Sequence, residues 1–145
     1  AEDWPFDLEL LTKCERLYFL DVVFTHYRVG RQGSLLTDAK NLPKRFKGLA
    51  AAQRRLAKLS ASGAVDAETY AVMENAAADV FWPQARTAAV KDAAIRKACL
   101  PYIQQLRPLY ACGTEVKTRR DWRVFQGMMK TLGPGFTLWA AAHLK

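Results

Sequence analysis

The chain has 145 residues, half of them hydrophobic and a quarter charged, and carries a formal net charge of +8. That apolar content excludes a disordered tail, and the length removes any need for disulfide staples. No stretch approaches the ~20 consecutive apolar residues of a membrane span.

The hydrophobic pattern is helical almost throughout, punctuated by Gly and Pro, and no run alternates with period two over a useful length. A first helix is predicted over 7–28, ending near Gly30. Its apolar positions Leu10, Leu11, Cys14, Leu17, Tyr18, Phe24 and Tyr27 cover more than one stripe, as on a helix contacted from several sides. On that helix Cys14 reads as a buried thiol, and Asp21 as a carboxylate in a buried ion pair with an Arg from another helix. The Gly-containing segment 29–42 reads as a connecting loop. A second helix opens near Pro43, suited to a first helical turn, and runs to about Ser60, before Gly63. A third begins at the N-cap candidate Asp66 and runs to Phe81, with Pro83 breaking or kinking it. A fourth spans roughly 84–98. Pro101 opens a short fifth that ends before Gly113, and a sixth follows Asp121 through Leu132. Gly133-Pro134-Gly135 reads as a turn, with a short terminal helix over 136–144. The expected architecture is therefore all-α: a compact single-domain bundle of five to seven helices over 1–145.

The charge is unevenly placed. Residues 1–27 hold six acids and two bases, residues 28–60 nine bases and one acid, residues 61–116 six acids and five bases, and residues 117–145 six bases and one acid. A polarised basic surface attracts polyanions: nucleic acid, anionic lipid or an acidic protein.

On the second helix, Lys44, Lys47, Arg54, Arg55 and Lys58 fall in one sector about 100° wide at 100° per residue. Phe46, Leu49, Ala50, Gln53, Leu56, Ala57 and Ser60 lie opposite. Like charges at i,i+4 repel by a few tenths of a kcal/mol each, and the helix holds no acid. The sector reads either as a solubilising face or as a phosphate-backbone contact. Against a membrane anchor, the apolar side is rich in Ala and holds one aromatic residue.

The second basic cluster places Lys117, Arg119, Arg120 and Arg123 around Trp122. Guanidinium groups grip phosphate and an indole stacks on bases. The competing reading puts Trp122, Phe125 and Met129, with Val124 and Met128, in the core, and the arginines at its border. No helix-turn-helix, zinc-finger or RNA-recognition signature accompanies either cluster, so the residues support backbone contact without base readout.

No catalytic or metal motif is present. His26 and His143 sit in neither H-x-x-x-H nor H-E-x-x-H, and there is no phosphate-binding loop or nucleophile elbow. Cys14 and His26 lie about 18 Å apart along one predicted helix, too far to act together. Cys14, Cys99 and Cys112 form no C-x-x-C; Cys99 and Cys112 flank a short helical stretch and are a candidate disulfide. No cofactor is implied.

In architecture, a small basic helical bundle resembles the small helical subunits of ribonucleoprotein machines, including those of CRISPR effector complexes. The likeness rests on size, helicity and charge. The leading expectation is a cytoplasmic subunit that contacts a nucleic-acid backbone through Lys44, Lys47, Arg54, Arg55 and Lys58, extended by Arg119, Arg120 and Arg123. The alternative is an exported interaction protein with a Cys99–Cys112 bond and an acidic protein or envelope partner, Ala1 then being a signal-peptide cleavage product.

Overall fold

Helix α1 (Leu42–Ala61) grows out of a 3-10 turn, Ala39–Asn41, whose cap Asp38 accepts the Lys40 amide. Pro43 occupies its first turn, where the missing amide proton costs no helical bond. The computed structural model describes residues 38–118 and 120–143, together with 7, 9, 10, 12–16 and 18.

Helices α2 (Ala67–Thr87), α3 (Ala93–Gln105), the single turn α4 (Glu115–Thr118), α5 (Arg120–Thr131) and α6 (Gly133–His143) follow, with a second 3-10 turn, Arg107–Ala111, after α3. There is no strand among the described residues, and the all-α bundle is as expected. Five of the described helices have eleven or more residues.

Several boundaries differ from the sequence pattern. Pro83 does not end α2, and Pro101 lies inside α3 instead of opening a helix. Each proline removes one amide donor from the helical ladder. Both rings sit on the exposed side, and the burial of Phe81, Trp82, Gln84 and Ala85 holds α2 together across the site. The true break comes at residues 88–91, and Asp92 caps α3 by accepting the amides of Ala94 and Ile95 at 2.8 and 3.3 Å. Gly133-Pro134-Gly135 is the first turn of α6 itself. Gly133 reverses the chain there at φ +79°, in the left-handed region that glycine reaches without strain.

The helix expected over 7–28 does not run through. Beyond Leu10 the chain is a turn and then non-helical at Cys14, Arg16 and Tyr18, and Cys14 is exposed, not buried. The Leu10 carbonyl closes the turn by accepting the amides of both Lys13 and Cys14, while the Thr12 hydroxyl takes the Glu9 carbonyl. Such side-chain competition for backbone partners favours helix ends. Asp21 and His26 lie outside the described residues, as does Arg119.

The core is centred on α2. Phe81 and Trp82 are fully buried, with ring centroids 4.9 Å apart; Phe46 of α1 meets Phe81 edge-on at 6.1 Å, and Phe125 of α5 meets Trp82 at 6.3 Å. Tyr110 stacks on Phe81 and donates its hydroxyl to the Ile103 carbonyl; burial pushes its pKa up. Around this layer, α1 packs on α3, α3 on α6, and α6 on α5. A satellite cluster of Leu56, Leu59 and Val65 closes the far end of α1.

Candidate functional site

The basic sector of α1 forms as its periodicity requires. Leu42, Phe46, Leu49, Ala50, Ala52, Gln53, Leu56 and Leu59 are buried, and Lys44, Lys47, Arg54 and Lys58 are exposed on the other side. Ala57, placed on the inward side by the wheel, is exposed at its edge. Among the described residues, two of the five cations have partners. The Arg54 guanidinium donates to Gln105 Oε1 at the end of α3, which fixes its stem and leaves its charge uncancelled. Arg55 is half-buried and pairs with Glu9 of the acidic N-terminal segment at 2.9 Å, while its Nε is buried without a hydrogen bond. Glu9 also takes Lys13 at 3.2 Å; that hydrogen bond, then the Arg55 charge, hold its carboxyl below the ordinary range.

Arg45, outside the sector, is half-buried, and burial lowers its pKa. The acid-free stretch of like charge on α1 is thus relieved at Arg55 by an acid supplied from outside the helix.

The second cluster is placed differently. Phe125 and Met129 are core, and Trp122 packs half-buried against them with the Arg86 guanidinium 5.5 Å above its ring. Arg86 also pairs with Asp121. One face of Trp122 is thus occupied from within the molecule. Val124 and Met128 do not join the core: Val124 is 57% exposed and Met128 is half-buried. Arg120 and Arg123 are exposed on the outer ridge of α5; the side chain of Lys117 lies outside the described residues. The structure does not set α5 alongside α1. Phe46 of α1 and Phe125 of α5 each meet the Phe81–Trp82 layer of α2, and the packing between the two helices runs through α3 and α6.

Cys99 and Cys112 are not joined. Cys99 is sealed in the core, and its thiol is pushed up to about 11 by burial. Cys112 turns the other way, with Sγ 3.5 Å from Glu74 Oε2. The 3-10 turn between them directs the two side chains to different neighbours.

A cleft of about 280 Å³ opens between α2, α5 and α6 beside the Arg86–Asp121 pair, with Met128 and Ala140 in its walls. Its lining holds no Ser, Thr, Cys, His or Lys, and its one carboxylate, Asp121, is paired with Arg86. No group of three or more potential metal ligands exists among the described residues, and no described helix is long and apolar enough to cross a membrane.

Sequence reasoning missed two groups. Glu9 and Gln105 engage the basic sector from elsewhere in the chain, and no spacing in the sequence announces such contacts. The other is a row of rings on α6. Phe136 and Trp139 are about half exposed, 5.8 Å apart, and Trp139 stacks on His143 at 5.3 Å. A helical wheel over 133–143 groups the three rings in one arc, but on a helix apolar all round it does not show that arc uncovered. Comparison with protein-family models, with curated proteins and with solved structures finds no match to this chain.

Proposed function

We propose that this chain is a binding subunit that holds a nucleic-acid phosphate backbone without regard to sequence, as part of a larger assembly. The observation that carries the reading is the outward sector of α1, where Lys44, Lys47, Arg54 and Lys58 stand exposed on a helix that holds no acid. Four cations on a helix docked through Phe46, Leu49 and Leu56 meet a polyanion with their backbone already ordered. Each phosphate they neutralise releases condensed counterions, and that release supplies affinity without reading bases. Arg55 joins only by exchanging Glu9 for a phosphate.

Fluorescence anisotropy with labelled single- and double-stranded DNA and RNA, across a salt series, tests this. Four phosphate contacts give a log–log slope of about −3 to −4, and engagement of Arg55 as well brings it to about −4 to −5. Absence of binding at low salt overturns the reading and directs the search to an acidic protein partner.

A further inference from the structure

Helix α6 has apolar residues on all sides, yet it is not covered on all sides. Thr137, Leu138, Ala140 and Ala142 are buried and Ala141 half-buried, whereas Phe136, Trp139 and His143 fall in a solvent-facing arc about 60° wide. The arc carries rings and no aliphatic side chain. Its flanks are α3, whose Leu100 lies against Gly135, and α5, which lines a cleft with Ala140 and Ala141. Those helices supply charge of one sign. Lys97 is exposed on α3, and Arg120, Arg123 and Lys130 are exposed on α5. Helices α3, α5 and α6 hold a single acid, Asp121, whose charge is met by Arg86.

We infer that the Phe136–Trp139–His143 row is a stacking platform for the unpaired bases of single-stranded nucleic acid, with the cations of α3 and α5 taking its phosphates. The inference rests on the phosphate-binding reading above and narrows it to a single strand. Stacked bases offer flat apolar faces joined by a polyanion, and this surface offers flat rings on a helix whose two neighbours carry exposed cations and, within their spans, no acid but the paired Asp121. A duplex hides its base faces and gains nothing from the row. An anionic membrane surface is the competing occupant, and the vesicle arm of the test separates it from a single strand. Helix α3 packs on both α1 and α6.

The test compares affinities of the full chain for an oligodeoxythymidylate, for an abasic oligomer with the same number of phosphates, and for a duplex of that length. The variants are Trp139→Ala and Phe136→Ala, with circular dichroism checking that each keeps its fold. The expected result is that wild type binds the oligodeoxythymidylate about fivefold or more tightly than the abasic oligomer, as stacking of one base provides. Trp139→Ala then removes that preference and leaves abasic and duplex affinities unchanged, while Trp139→Phe retains most of it. Equal binding of the base-bearing and abasic oligomers overturns the inference and leaves the phosphate reading standing. No binding of any of the three at low salt overturns both. Binding to phosphatidylglycerol vesicles that Trp139→Ala abolishes, with no base preference, overturns it and assigns the row to a membrane surface.

Discussion

Trp82 Nε1 donates to the carbonyl oxygen of Cys112 at 3.0 Å, and that bond ties the centre of the core to the loop leading into α4. The loop is held along the same side of α2: Gly113 N donates to Asn75 Oδ1, and the amide and hydroxyl of Thr114 donate to the Asp79 carboxylate. Gly113 sits at φ +108°, and a Cβ there would lie 3.1 Å from Trp82 Cδ1. Trp82→Phe strands the Cys112 carbonyl and leaves a void, so it costs about 2–4 kcal/mol. Gly113→Ala meets both backbone strain and the indole and costs about 1–3 kcal/mol. Urea unfolding of each variant checks both values.

Cys99 predicts an alkaline limit to stability. Its thiol titrates near 11 in the fold, against 9.0 for the unperturbed group. Below pH 9 both states keep the proton and stability is unaffected. Between pH 9 and 11 the unfolded chain ionises first, and stability falls by about 2–3 kcal/mol in total. Cys99→Ala flattens that limb, at the cost of a small cavity at all pH values. Stability curves at pH 8, 9, 10 and 11 read the difference. A thiol reagent at pH 8 is expected to label native Cys14 quickly and Cys99 only through opening of the fold.

Glu9 predicts a gain on substitution. Glu9→Gln releases Arg55 to phosphate, strengthening nucleic-acid binding and steepening the salt slope by up to about 0.9. The sign with pH follows from the lowered Glu9 pKa. The pairing is present above its unperturbed value of 4.5 and is lost as pH falls through the folded value. At pH 7 wild type therefore keeps the contact and the variant does not. Anisotropy titrations of the two proteins at pH 7 check this.

Asp66 is a helix cap with a measurable contribution. Its carboxylate accepts the Thr69 amide at 2.7 Å and the Thr69 hydroxyl at 3.1 Å, and those bonds lower its pKa. Asp66→Ala should lower the thermal midpoint by a few degrees. Asp66→Asn, which keeps an acceptor, should recover most of it.

The helical class was legible because long apolar periodicities and caps such as Asp66 are local signals. The basic sector of α1 was legible for the same reason: five cations recurring at helical spacing opposite Phe46, Leu49 and Leu56 leave one way to dock. The boundaries around Pro83 and Pro101 were misread because proline was weighed alone. Burial of Trp82 and Ile103 decides that those helices continue, and Asp92, a good cap, marks the start of α3. The pairing of Arg55 with Glu9 joins residues 46 positions apart and has no local signature. The α6 rings were passed over because an apolar helix reads as core, and only the packing of α3 and α5 shows which arc they leave uncovered.

The most direct measurement is the salt dependence of nucleic-acid affinity for the Lys44→Gln/Lys47→Gln/Lys58→Gln variant beside wild type. All three side chains are exposed, so the variant keeps the fold. If α1 holds the backbone, the variant binds more weakly at every salt concentration and its log–log slope is shallower by about 2.7, near 0.9 for each lost contact. An unchanged slope, with wild type still binding, would contradict the account and place the polyanion elsewhere on the molecule.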